Sequence, residues 1–126
     1  MDAPGLDRIT NLLTQFLDVH SHRAQIVASN LANADTPGFQ AQELDFAAYL
    51  QQAADEALTP GSTDTGMEHT PRVVAQTNRV SGLDGNNVEP GQEMATLSNA
   101  GMHYLTGTTM LQSRIRTLRM AIREGR

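Results

Sequence analysis

The stretch Asn30-Leu31-Ala32-Asn33-Ala34-Asp35-Thr36-Pro37-Gly38-Phe39 decides how this chain folds, because an amphipathic pattern runs into it and cannot run through it. Asn33 suits the left-handed position just past a helix end, where a short polar side chain bonds the local backbone. Thr36 precedes a proline and is kept out of the helical region by sterics. Pro37 presets φ at the second position of a β-turn, and Gly38 supplies the positive φ that the third position of a type II turn requires. Phe39 then leaves the turn as an exposed aromatic. Together these residues read as a fixed corner, with an ordinary helix stop and loop as the plainer alternative.

On the N-terminal side, Leu6, Ile9, Leu13, Phe16, His20, Ala24, Val27 and Leu31 recur at spacings of three and four. Leu12, Leu17 and Ile26 widen this stripe, which predicts an amphipathic helix over 6–32. His20 sits on the stripe as a partly buried histidine rather than a ligand. On the C-terminal side, residues 40–58 read as a short helix with Asp45 as N-cap and Phe46, Tyr49, Leu50, Ala53 and Ala57 on one face. Residues 59–71 have the composition of a mobile linker. Val73, Val74 and Val80 predict one short strand within 72–80.

A turn cluster at 81–87 introduces the last helix, with Asn87 as its N-cap, Glu89 near its positive end and Pro90 tolerated in its first turn. Met94, Leu97, Gly101, Tyr104, Thr108, Leu111, Ile115, Leu118 and Ile122 then alternate at three and four, the pattern of a coiled-coil seam. Gly101 and Thr108 are small, so either a neighbouring helix approaches there or the core tolerates a gap. The fold expected is mainly α. The N- and C-terminal helices pair as an antiparallel coiled coil, and the middle is partly irregular with one short strand. Residues 1–39 and 88–126 make one domain, with 40–87 as its middle. Two one-sided helices leave apolar surface uncovered, and further helices would have to come from other subunits.

At 126 residues with five aromatics and no Trp, the chain has a small core at most. Its formal charge of −5 argues against nucleic-acid binding. All nine basic residues are arginine, and five of them lie in 114–126. Arg116, Arg119 and Arg123 form a stripe beside the seam. It reads either as a solvated face that complements the helix dipole or as a row paired with acids, Asp7 with Arg119 or Arg123 and Asp18 with Arg114. No cysteine is present, which leaves the redox compartment open. The N-terminus has no basic region followed by an apolar run, so neither a cleavable signal nor a membrane span is expected.

The chemistry of catalysis is not legible. His20 and His22 lie two apart and point to different sides of a helix. No phosphate loop or nucleophile elbow occurs, and Asp84-Gly85-Asn86-Asn87 fails as a calcium loop because its later ligand positions fall on Val88 and Ala95. No enzyme activity, cofactor or metal is expected.

The string from Asn30 to Phe39 resembles the N-terminal signature of the bacterial flagellar axial proteins, Asn-Ile/Leu-Ala-Asn-x-x-Thr-x-Gly-Tyr/Phe. Asn30, Leu31, Ala32, Asn33, Thr36, Gly38 and Phe39 match it. Two longer segments resemble the proximal-rod members of that family. One runs from Ala28 through Ala41 to Leu44-Asp45-Phe46. The other is Leu83-Asp84-Gly85-Asn86-Asn87-Val88 leading into Glu93-Met94. Pro90-Gly91 departs from the good helix formers usual there. The resemblance implies a structural subunit of the periplasmic basal-body rod that assembles helically with itself and other rod proteins. It also implies export through the flagellar type III apparatus and a place beside the export gate and the MS-ring adaptor. A soluble cytoplasmic coiled-coil adaptor or regulator is the alternative.

Overall fold

The computed structural model describes residues 4–58 and 71–125. Along the chain come α1 (Pro4–Ala32), β1 (Gln42–Leu44), α2 (Phe46–Leu58), β2 (Val73–Ala75) and α3 (Pro90–Glu124). The fold is mainly helical, and α1 packs antiparallel along α3. Asn30 lies opposite Glu93, Phe16 and Leu17 lie against Gly107, and Ile9 and Leu13 lie against Met110, Arg114 and Leu118.

The face of α3 turned to α1 is rotated from the expected seam. Glu93, Ala100 and Gly107 are buried, and Leu97, Thr108, Leu111, Arg114 and Leu118 are half-buried. Met94, Gly101, Tyr104, Ile115 and Ile122 are exposed instead. Close approach within the chain therefore falls at Gly107 and not at Gly101. A Cβ on Gly107 would sit 2.8 Å from Leu17 Cδ2 and 3.0 Å from Phe16 Cδ1, whereas one on Gly101 would meet nothing within 4 Å. The two aromatic and branched side chains of α1 need the space that glycine leaves. On α1 the expected stripe faces α3 and the middle segment, with Val27 and His20 buried and Leu13, Phe16, Ala24 and Leu31 half-buried. Ile9 is exposed, and the side chains of Leu6 and Asp7 lie outside the described residues.

The register also corrects the expected pair of Asp18 with Arg114, while the pair expected for Asp7 rests on a side chain outside the described residues. Asp18 stands level with Leu105, about nine residues or roughly 13 Å along the axis from Arg114. No ion pair reaches Arg114, Arg116, Arg119 or Arg123 among the described residues.

The helix expected over 40–58 begins only at Phe46, and Gln42–Leu44 instead form β1, antiparallel to β2 with Gln42 opposite Ala75 and Leu44 opposite Val73. The ladder continues at both ends, from Gln76 N–H to Ala41 O and from Asp45 N–H to Arg72 O, each 2.8 Å. Leu44 is buried within the strand, and Ala41, which precedes it and points to the opposite side of the pleat, is buried as well. Asp45 then caps α2 as expected, its Oδ1 accepting Ala48 N–H at 3.1 Å. Pro71, read as the end of the linker, is buried. The remainder of that linker, 59–70, lies outside the described residues.

Among the described residues the buried apolar side chains are Val19, Val27, Ala41, Leu44 and Ala100, matched by the buried polar ones His20, Asn30, Asn86, Asn87 and Glu93. A core with as many polar as apolar members takes its shape from hydrogen bonds and gains little from burial.

Candidate functional site

The corner after α1 closes in steps. Asn33 N–H reaches the carbonyls of Ser29 and Asn30, both at 3.1 Å, and its side-chain amide returns to Ser29 O at 2.9 Å. Ala34 N–H and Thr36 N–H bond three residues back, to Leu31 O and Asn33 O. No non-glycine residue has positive φ among the described residues, so Asn33 ends the helix by tightening its last turns and not by adopting the left-handed conformation. Thr36 to Phe39 is the expected turn. Phe39 N–H donates to Thr36 O at 3.2 Å, and Gly38 has φ 73°. Because Pro37 holds a negative φ, positive φ at Gly38 alone makes this type II. Phe39 itself is half-buried, not exposed.

The second motif lies directly on this turn. Gly38 N–H donates to Asp84 O at 2.8 Å, and Asn87 N–H donates to Phe39 O at 3.3 Å. Gly85, at φ 80°, brings its backbone so close to Gly38 that a Cβ would lie 3.4 Å from Gly38 Cα. Asn86 donates its side-chain amide to two carbonyls of the corner, Asn33 O at 2.9 Å and Thr36 O at 2.8 Å. Its Oδ1 accepts Val88 N–H, and its own N–H is held by Asp84 Oδ1. Asn87 Oδ1 accepts Ala41 N–H at 2.6 Å, while its amide donates to Gln76 O at 2.6 Å and Gln40 Oε1 at 2.9 Å. Asn87 is thus the clasp between the corner and the small sheet, not the expected N-cap of α3. That cap is Glu89, which makes no side-chain cap bond, and Pro90 opens the helix where its missing N–H costs nothing.

Asn30 extends the knot into the helix pair. Its side chain accepts Gln42 N–H at 2.9 Å and donates to Gln42 O at 2.8 Å, so one amide pairs both backbone groups as a neighbouring strand would. It also donates to Glu93 Oε2 at 3.0 Å, and Arg79 donates to Glu93 Oε1. Glu93 is 2 % exposed, and a carboxylate so deep needs both partners. Sequence reasoning misses Arg79, and it meets Glu93 only as the continuation of the second motif, without a role. A charged residue in line with Leu97 and Ala100 is the one signal that could have pointed to Glu93.

A second cluster lies further along α1. The buried His20 ring packs edge-on to Phe16 at 4.4 Å, stacks on His103 of α3 at 4.7 Å and meets Phe46 of α2 at 5.8 Å. Burial first, then the neighbouring His103 and Arg23 charges, lowers the His20 pKa below its ordinary 6.5. Among the described residues no group of three metal-ligating side chains is gathered, and no helix is long and apolar enough to cross a membrane.

Residues 21–40, the end of α1 and the corner, match the family model described as flagella basal body rod protein. The flagellar basal body rod protein FlgB of Proteus mirabilis is 30 % identical over 142 residues, covering 95 % of this chain and 99 % of the relative. Its counterpart from Aeromonas hydrophila is 30 % identical over 129 residues, covering 96 % and 97 %. That of Salmonella typhimurium is 29 % identical over 133 residues, covering 95 % and 96 %. The likeness runs through both asparagine motifs and both terminal helices, and the chain belongs to the FlgB family of flagellar basal body rod proteins.

Proposed function

We propose that the chain is a structural subunit of the proximal flagellar rod, packed helically with other rod proteins into the drive shaft. Apart from family membership, the observation that carries this reading is the outer side of α3. Met94, Met102, Leu105 and Met120 are each more than half exposed on it, Leu105 by 67 %. So much apolar surface on one helix is costly in an isolated protein and expected at a face that neighbours cover. In this reading Leu97, Thr108, Leu111 and Leu118 pack with Leu13, Phe16 and Val27 inside the subunit, while Met94, Gly101, Tyr104, Ile115 and Ile122 face the next one.

Residues 1–39 and 88–126 act as one domain, and Asn86 and Asn87 clip the 40–87 segment to it. The finer partners follow from position at the rod base: the adaptor joining rod to MS ring, and the flagellar type III export gate. A chain with five buried apolar side chains among its described residues unfolds at low cost, which suits passage through that apparatus into the periplasm. The role is structural, in keeping with relatives that are rod proteins, and no residue is assigned to catalysis. No observation favours the cytoplasmic adaptor.

The test is composition. Basal bodies purified from cells that carry this chain as their sole proximal-rod subunit of its kind should contain it at the rod base. Complete basal bodies without it would overturn the proposal.

A further inference from the structure

His20 is 4 % exposed, and its Nδ1 has no hydrogen-bond partner. A neutral imidazole carries one N–H and one lone pair, whereas an imidazolium must place two N–H donors. Around His20 the structure supplies rings instead: Phe16 from α1, Phe46 from α2 and His103 from α3. The charged groups facing it offer no relief. Arg23, from the same helix, is a cation. Glu43 of β1 is already engaged by Arg23 Nε and a second guanidinium nitrogen at 3.1 and 3.3 Å, and by Gln76. From α3 comes His103, which would carry the same charge. From α2 come Phe46, Leu50 and Tyr49, whose hydroxyl donates to Gln15 O at 3.2 Å.

These three helices frame a groove of about 410 Å³ with His20 and His103 in its wall and Leu12 and Leu50 at its rim. The contacts described between α2 and α1 include the Phe46–His20 rings, the Arg23 guanidinium over the Phe46 ring and the Tyr49–Gln15 bond, so the histidine ring is part of what holds α2. We propose that the His20–His103 stack is a proton-sensitive latch: neutral, it holds α2 and α3 against α1, and on taking up protons it releases α2 and opens the groove. His103 is exposed, which gives solvent protons a way to the stack. The latch is a property of the folded subunit and stands whether or not the chain builds rods.

The sign follows from the lowered pKa of His20. Above 6.5 the ring is neutral in the folded and the unfolded chain, and the packing is fully present. As pH falls below 6.5 the unfolded chain takes up the proton first, so stability drops until the folded ring also protonates. Histidine is the side chain suited to such a switch near neutrality.

The experiment compares thermal melts of the wild type, His20→Phe and His22→Gln at pH 7.5 and 5.5. Trimethylamine oxide is included to keep the lone chain folded. The wild type and His22→Gln, whose ring faces Asp18 O, should each lose roughly 5 °C on acidification, and His20→Phe should lose little. Equal loss in His20→Phe, or none in the wild type, would overturn the latch. If His20→Phe fails to fold, ring-proton NMR of the wild type decides the matter. Titration of His20 below 6.5 with a concerted shift of the Tyr49 ring supports the latch, and titration at or above 6.5, or an unmoved Tyr49, refutes it.

Discussion

At Asn30 a single amide, 0 % exposed, meets the N–H and the C=O of Gln42 and one oxygen of Glu93. Removing it leaves two backbone groups and a buried carboxylate short of partners, each worth about 1–3 kcal/mol. Asn30→Ala should therefore cost about 3 kcal/mol, read as a large drop in denaturation midpoint. Asn30→Asp should cost at least as much, because a second carboxylate would face Glu93 and could not donate to Gln42 O. A variant that melts like the wild type would show that the knot contributes nothing. The asparagines were visible as a motif, but their roles were not. Asn33 and Asn87 were read through local geometry, as a left-handed stop and an N-cap. Asn86 and Asn87 in fact bond to groups 46–53 residues away, and no local rule reaches that far.

At the scale of the helix, α3 presents two different faces, and Gly101 and Gly107 separate them. Gly107→Ala should destabilise the subunit by about 1–3 kcal/mol, since the new methyl must displace Phe16 and Leu17. Gly101→Ala should stabilise the lone chain by about 0.5–1 kcal/mol through helix propensity, with open space around it. Thermal melts of the two variants would show opposite signs, and the same sign for both would mean the helix pair is rotated from the arrangement described here. The period of α3 was legible, because apolar residues recur at three and four all along it. The phase was not. Small residues stand at 100, 101, 107 and 108, and the choice of Gly107 rests on Phe16 and Leu17 of the opposite helix. The arginines belong to the outer face as well. Arg116, Arg119 and Arg123 are exposed and reach no acid among the described residues of their own subunit. Replacing Arg119 and Arg123 with Gln should leave helicity by circular dichroism unchanged and lower incorporation into basal bodies. Normal incorporation would make the stripe a solvated face only.

For the whole molecule, a corner fixed by asparagines and glycines holds two long helices, and most apolar residues of α3 are uncovered. Rigidity comes from the knot, and much of the stability must come from neighbours. The helical class and the antiparallel pairing of the terminal helices followed from stripe and length. Of the small sheet, β2 lies within the strand expected over 72–80, whereas β1 was not legible. Gln42–Leu44 carries no alternation long enough to read, and its strand partner lies about thirty residues on, across a polar segment. The central claim is that the outer side of α3 is covered in the assembled rod. The chain has no cysteine, so a single Leu105→Cys substitution gives a unique reporter on that side. Reaction of this thiol with a maleimide should be fast in the isolated subunit and strongly slowed in purified basal bodies, where a short bifunctional reagent should link it to a neighbouring rod subunit. Equally fast labelling in both, with no cross-link, would contradict the account.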